Sequence, residues 1–231
     1  MDNWSWFLGH LSQCIGQGNI IVISDRHKGL IEGVSRVFPD APHAFCVRHL
    51  ADNLTKKCRK KKLIGVVWEA AKAVTAEDFN NAMNVIMSIS LKAYNFLQAV
   101  GVENWSSYMF KGQTYGHVTS NVAESLNSWM KSLRGLPIVV MLEVSGRKLM
   151  DWFIARHEQS QVYLRKNMLI VPAIREKILL NHAESDRYPV KLAKQHGTVM
   201  KAEVGSTANT YNVKLSERKC DCGLWLREGY P

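Results

Sequence analysis

Residues 19–25 read Asn-Ile-Ile-Val-Ile-Ser-Asp, a short apolar run rich in β-branched residues that ends on a carboxylate. This pattern predicts a strand buried on both faces, as in the middle of a mixed or parallel sheet. A helical pattern precedes it from Asp2 to Gln13, and another follows it and is closed by Pro39. A second short strand is predicted at residues 43–46. The alternation of helix and strand is typical of an α/β fold.

The remainder of the chain is predicted to be mostly helical until about residue 187. A basic helix is predicted from residue 47 to about 62, and the pattern stays mostly helical from 63 to 133. Pro137 suits the first position of a long helix that runs to about residue 167. Strand-like alternation then covers residues 198–204 and 210–215, which predicts a β-hairpin.

The composition is that of an ordinary globular protein with a strongly basic balance. The chain has 231 residues and a formal net charge of +10, which favours acidic partners and nucleic acid above all. No stretch approaches the roughly 18 apolar residues of a membrane helix, so no membrane partner is expected. The N-terminus lacks the basic region of a secretory signal. The five cysteines are therefore interpreted as thiols of a reducing compartment, available as metal ligands.

Two carboxylates are candidates for a metal-binding or catalytic site. Asp25 follows the first predicted strand, and the carboxyl end of a buried strand holds a side chain rigidly in a crevice. Its oxygens suit Mg²⁺ or Mn²⁺, although an aspartate before a helix is also a favoured N-cap. Glu124 opens a helix and is flanked by small residues. The alternative for Glu124 is a solvated side chain stabilised by the helix dipole.

Cysteine and histidine form two further motifs. Cys46 and His49 give a C-x-x-H spacing with His43 three residues earlier, which suits a metal half-site or, alternatively, a buried thiol and a surface imidazole. Cys220 and Cys222 can bind one Zn²⁺, but a structural zinc site needs four ligands. His196 is a weak suggestion for a third ligand.

Residues 56–62 form a basic run that could contact a DNA backbone or act as a nuclear address. The alternative is a solvated helix face that adds solubility. The DNA-backbone candidates are Lys56, Lys57, Arg59, Lys60, Lys61 and Lys62.

Three stretches in this order resemble the Mutator-like element (MULE) transposases of plants: VISDRHKGLIEGVSRVFPDAPHAFCVRHLADNL at 22–54, TSNVAESLNSWM at 119–130 and CDCGLWLREGYP at 220–231. The resemblance implies an RNase H-like catalytic core with a D, D, E carboxylate triad that binds two divalent metals. Asp25 matches the second Asp and Glu124 the Glu, with a helical insertion between them. Cys46 and His49 match the family's C-x-x-H. Cys220 and Cys222 match the first two ligands of a SWIM-type zinc finger.

The resemblance also sets expected domain limits and cofactors. The expected parts are a partial RNase H-like core at 1–62, a helical insertion at 63–117, core helices at 118–190 and an incomplete SWIM finger at 195–231. Mg²⁺ or Mn²⁺ is expected at the carboxylates and Zn²⁺ at the finger. DNA is the expected partner, the nucleus the expected location, and an oligomer is compatible with the family.

The first Asp of the triad and the last two zinc ligands have no match between residues 1 and 231. The sequence is therefore interpreted as a transposase fragment, truncated at both ends and not catalytic alone. Two other hypotheses stay open. One is a transposase-derived DNA-binding or regulatory protein without catalysis, and the other is a degenerate element fragment without function.

Overall fold

The computed structural model describes residues 3–16, 18–187, 190–195, 199–205 and 210–229, which form two compact units. The first unit comprises residues 1–120 and 190–231, and the second comprises residues 121–189. The first unit begins with α1 (Asn3–Ile15), β1 (Val22–Ser24), α2 (Lys28–Val37), β2 (His43–Phe45), α3 (Val47–Cys58), α4 (Leu63–Lys72), α5 (Ala76–Ile89) and α6 (Leu91–Val100). It ends with β3 (Val190–Gln195), β4 (Val199–Gly205), β5 (Thr210–Lys214), β6 (Lys219–Cys220) and α10 (Leu224–Glu228).

Strands β1 and β2 pair in parallel, with α2 as the crossover between them. Val22 lies opposite His43, and Ser24 lies opposite Phe45. The predicted strand was longer and buried on both faces, whereas Val22 and Ile23 are half-buried and only Ser24 is buried. The prediction of full burial was wrong because, among the described residues, β1 pairs with β2 alone, and so small a sheet covers little of either strand.

Helix α1 lies against α2 around a small apolar cluster of Leu8, Val34 and Phe38. Gly33, in the middle of α2, is buried at this contact. A Cβ atom at Gly33 would lie 3.1 Å from Leu8 Cδ1 and 3.4 Å from the backbone nitrogen of Ser5. The missing side chain therefore allows the backbones of the two helices to approach closely.

The main hydrophobic core of the first unit lies among α3, α4, α5 and α6. Its fully buried side chains include Leu50, Leu54, Leu63, Val67, Ile86 and Leu97. Within each helix the buried residues of this core recur at three- and four-residue spacing, so each helix presents one apolar stripe to the others. The indole Nε1 of Trp105 donates to the carbonyl of Leu97 at 3.3 Å, which satisfies a buried polar group at the edge of this core.

The basic helix is shorter than predicted, because α3 ends at Cys58 and not near residue 62. Arg59 adopts a left-handed conformation with a φ of 55°, which ends the helix. Lys60 then donates from Nζ to the carbonyl oxygen of Ile89, the last residue of α5. This contact places a positive charge where the carbonyl end of a helix dipole favours one.

The second unit contains α7 (Asn121–Met130), α8 (Ile138–Arg165) and α9 (Pro172–Ser185). Pro137 was predicted at the first position of this helix. It is instead the N-cap, and α8 begins one residue later, at Ile138. The rings of Trp129 and Trp152 stack with their centroids 6.4 Å apart, and Nζ of Lys148 lies 4.9 Å from the centre of the Trp129 ring. These contacts join the end of α7 to the middle of α8 within this unit.

The C-terminal sheet is antiparallel, in the order β3-β4-β5-β6. Of the predicted alternation, residues 199–204 fall on β4 and residues 210–214 fall on β5, whereas residue 198 lies outside the described residues. Strand β3 was not predicted. The described residues are mostly helical and form two small sheets, in agreement with the predicted α/β, mostly helical class. None of the helices in the described ranges has both the length and the apolar character needed to cross a membrane.

Candidate functional site

Asp25 lies just past the end of β1 with its side chain exposed. Its Oδ1 accepts the backbone N–H of His27 at 3.1 Å. The N-cap of α2 is His27, so the alternative interpretation of Asp25 as that N-cap is wrong. Within the described residues, no hydrogen bond to Oδ2 is found. The hydrogen bond to Oδ1 thus orients the exposed carboxylate.

The backbone that carries Asp25 is fixed by a buried hydroxyl. Ser24 Oγ lies 2.7 Å from the carbonyl oxygen of Asp25 and 2.7 Å from Nε2 of His43. Because a hydroxyl has one proton and donates it to the carbonyl, its oxygen is left to accept from Nε2–H. Burial lowers the pKa of His43 and so favours a neutral ring, which makes this hydrogen bond in its Nε2–H tautomer. The main-chain carbonyl of Ser24 also accepts from the N–H of Cys46 at 2.6 Å.

Sequence reasoning noted His43 only as a neighbour of the C-x-x-H motif and missed its contact with Ser24. The parallel register, with Val22 opposite His43, brings the imidazole near Ser24. A histidine two residues before the end of the second strand was the available signal. It could be interpreted only once the pairing of the strands was known.

Cys46 and His49 both lie at the beginning of α3. Cys46 is the N-cap and is buried, and His49 is half-buried in the first turn. Cys46 Sγ and a ring nitrogen of His49 lie within 4.8 Å of each other. The Sγ atom also accepts the N–H of Ser120 at 3.4 Å, and the carbonyl of Val118 accepts from the N–H of Val47 at 2.9 Å. Cys46 thus has a structural role as the acceptor for the backbone N–H of Ser120. Metal binding by Cys46 and His49 stays a prediction.

Glu124 is the fourth residue of α7 and lies half-buried in the first turn of that helix, in the second unit. An acidic side chain there is favoured by the helix dipole. The alternative interpretation was a solvated side chain, but Glu124 is half-buried and not fully solvated.

All six side chains of the basic run are exposed. They do not form one helical face, because α3 ends within the run. Lys56 and Lys57 lie in the last turn of α3, Lys60 bonds to Ile89, and Lys61 and Lys62 belong to the turn before α4. DNA contact by these residues stays a prediction, although their exposure is what it requires.

Cys220 and Cys222 point to the same side of the turn that follows β6. Their Sγ atoms lie 2.8 Å apart, and Cys220 Sγ accepts the backbone N–H of Trp225 at 3.5 Å. The thiol hydrogen bond from Cys222, helped by backbone N–H donors of residues 223–225, lowers the pKa of Cys220 to about 6. The same shared proton, together with burial, raises the pKa of Cys222. His196, the weak suggestion for a third ligand, lies outside the described residues.

The turn that carries the two cysteines is held against the helical part of the same unit. Gly223 has a φ of +74°, and a Cβ atom there would lie 3.1 Å from the carbonyl oxygen of Val74. Arg227 donates from Nη1 to the carbonyl of Lys72 at 2.8 Å, and its own carbonyl accepts from the N–H of Gly116 at 3.0 Å. The C-terminal turn therefore contacts the chain just after α4 and the loop before α7.

We expect Cys220 to react with iodoacetamide as a thiolate over most of the neutral range. A thiol whose pKa is lowered to about 6 is deprotonated above that pH, and the thiolate is the nucleophile. The rate of alkylation of the metal-free protein, followed by peptide mass spectrometry, should be half-maximal near pH 6. In Cys222→Ala the thiol donor is lost, and the midpoint should move upward. A midpoint for the wild-type Cys220 near that of a free cysteine would contradict this prediction.

Comparison with known families agrees with the sequence resemblance. A family model described as Transposase, Mutator family matches residues 1–135, which is more than half of the chain and includes both Asp25 and Glu124. Neither the curated proteins nor the solved structures give a match. On the extent of that match, the chain belongs to the Mutator family of transposases.

Proposed function

We propose that this chain binds DNA and supplies two carboxylates, Asp25 and Glu124, to the metal-dependent centre of a Mutator-type transposase with an RNase H-like core. The family match, which spans both residues, carries the proposal. The β1-α2-β2 unit that holds Asp25 belongs to the proposed core at residues 1–62. The helices at residues 63–117 are the proposed insertion, and residues 118–190 supply the proposed core helices.

The residues present fit a divalent metal at Asp25. The carboxylate is exposed, Oδ1 is held by the N–H of His27, and carboxylate oxygens are the ligands that Mg²⁺ and Mn²⁺ prefer. Paired divalent ions in such enzymes activate an attacking oxygen and stabilise a leaving one. The contribution of this chain is to orient the carboxylate: Ser24 fixes the backbone of Asp25, and His27 fixes one oxygen of its side chain.

Cys220 and Cys222 fit two positions of a zinc site, as proposed for the start of a SWIM-type finger at residues 195–231. The lowered pKa of Cys220 makes it a thiolate near neutral pH, which is the form that binds zinc. Two sulfurs at 2.3 Å from a tetrahedral zinc are about 3.8 Å apart. Zinc binding therefore requires the Sγ atoms, now 2.8 Å apart, to separate by about 1 Å.

DNA binding is supported by the exposed basic run and by the net charge of +10. A nuclear location, for which the same run can serve as the address, belongs to this proposal. If Lys61 and Lys62 contact phosphates, each contributes about 0.9 to the slope of log K against log [salt].

The experiment is a salt titration of duplex DNA binding by the wild type and by Lys61→Gln/Lys62→Gln, with Asp25→Asn as a variant outside the run. We expect binding to weaken steeply with salt and the slope of the double variant to fall by about 1.8. Binding of Mn²⁺, measured by electron paramagnetic resonance, should weaken in Asp25→Asn and not in Asp40→Asn. Failure of the wild type to bind DNA at low salt would overturn the proposed DNA binding, and equal Mn²⁺ binding by both variants would remove the role of Asp25.

A further inference from the structure

Arg26, the residue next to Asp25, has its guanidinium within cation–π distance of two phenyl rings. Its Cζ lies 5.9 Å from the centre of the Phe45 ring and 5.4 Å from the centre of the Phe96 ring. Its Nε is buried and has no hydrogen-bond partner. Within the described part of the chain, Arg26 forms no ion pair with a carboxylate. A half-buried arginine with an unsatisfied N–H group is uncommon, because leaving such a donor unpaired costs free energy.

A second cation lies on the same aromatic ring. Nζ of Lys57, in the last turn of α3, is 4.6 Å from the centre of the Phe96 ring. The two charged groups are therefore within roughly 10 Å of each other, a range in which like charges repel and an anion between them is attracted to both. Cation–π contact with Phe96 offsets part of this repulsion and holds both groups in place.

We propose that Arg26 and Lys57 form a phosphate-binding pair that holds a backbone phosphodiester of DNA beside Asp25. This inference rests on the proposed function, because it names the part of the DNA that the carboxylate would face. The guanidinium offers a planar fork of N–H donors, which suits two oxygens of one phosphate, and the ammonium supplies a point charge. Because Arg26 is half-buried beside the two phenyl rings, its charge is screened less than that of a fully exposed arginine.

A phosphodiester fits this pair better than an acidic protein does, because the pair lies at the start of a larger basic surface. Lys57 belongs to the run that continues along the chain to Lys62, and all six basic side chains of that run are exposed. Phosphates repeat along a nucleic acid, so a strand held by the pair can continue over the run. The position of Arg26, one residue after Asp25, places the strand at the proposed carboxylate.

The test compares DNA binding by Arg26→Gln, Lys57→Gln, Arg26→Lys and the Arg26→Gln/Lys57→Gln double variant. Lys92→Gln, an exposed lysine of α6, is the control with the same change of charge. We expect each glutamine variant to bind about tenfold more weakly and with a salt slope smaller by about 0.9. The fold-loss of affinity in the double variant should be smaller than the product of the two single fold-losses, because both side chains bind the same phosphate. Lys92→Gln should bind as the wild type does.

Arg26→Lys separates phosphate binding from a purely structural role. It keeps the charge and loses the fork, so it should keep the wild-type salt slope and bind more weakly than the wild type. If Arg26→Gln does not fold, as judged by its thermal transition, Lys57→Gln and Arg26→Lys decide the question. Wild-type affinity and slope in the folded variants would overturn the pair while leaving DNA binding intact. Absence of binding by the wild type would overturn both this inference and the proposed DNA binding.

Discussion

Ile86→Ala is expected to lower the free energy of unfolding by about 2–5 kcal/mol, the usual cost of truncating a large buried aliphatic side chain. Ile86 is 0% exposed and lies on the face of α5 that packs against α4 in the main core. The change removes three carbon atoms and leaves a cavity, which the rigid helices on either side can fill only partly. Urea denaturation followed by circular dichroism measures the effect.

Val85→Ala is the matched control, since Val85 is the preceding residue of the same helix and is 46% exposed. Its truncation should change the free energy of unfolding by less than about 0.5 kcal/mol. Ile86→Val should give an intermediate loss of about 0.5–1.5 kcal/mol. Equal losses for the Val85 and Ile86 variants would show that α5 does not bury the face described above.

Gly33→Val is expected to destabilise the contact between α1 and α2 by about 1–3 kcal/mol, as overpacking of a close contact does. The first added carbon would meet Leu8 Cδ1 at 3.1 Å, and a leucine side chain can rotate away. The two further methyl groups of valine would press toward the backbone of Trp4 and Ser5, which lies 3.4 Å from the Cβ position and cannot yield in the same way. Thermal or urea unfolding gives the measurement.

Gly65→Ala should have the opposite sign. Gly65 is exposed in the first turn of α4, and a Cβ atom there would meet nothing within 4 Å. Replacing a helical glycine by alanine in open space stabilises by about 0.5–1 kcal/mol, because alanine loses less conformational freedom on folding. A loss of stability in Gly65→Ala would contradict the open space at Gly65, and unchanged stability in Gly33→Val would contradict the assignment of Gly33 to a close helix contact.

The elements that the sequence predicted well are those with a strong local signal. The apolar run before Asp25 and the amphipathic pattern closed by Pro39 are short-range features, and β1 and α2 lie where they were expected. The apolar stripes of α4, α5 and α6 were likewise readable, and many of their residues form the main core. In each case the period of the apolar residues is set by the element itself.

The predictions that differed depended on contacts between residues far apart in the chain. The lysine run contains good helix formers, and nothing local showed that α3 would end at Cys58. The break is accompanied by the bond from Lys60 to Ile89, which lies 29 residues away. The contact of His43 with Ser24 depended on a strand register, and the burial of Gly33 depended on the position of α1.

The roles of the site residues stay predictions for a related reason. Asp25, Glu124, Cys46 and the two C-terminal cysteines were selected by residue type and motif. The structure adds what surrounds each of them: a held oxygen for Asp25, a backbone donor for Cys46 and a shared proton for Cys220 and Cys222. These surroundings could not be derived from spacing, because each depends on where folding places a backbone group or a second side chain.

The docking of the C-terminal turn makes the stability of the helices depend on what happens at Cys220 and Cys222. Gly223 and Arg227 join that turn to the chain just after α4, so the docked turn and the helical core form part of one folded unit. By thermodynamic linkage, any ion or reagent that binds the thiols only in their docked arrangement must also raise the free energy needed to unfold that unit. Conversely, a substitution in α4 that lowers the fraction of molecules with a docked turn must lower the apparent affinity of such a ligand by that same fraction, even though it lies about 150 residues earlier in the chain.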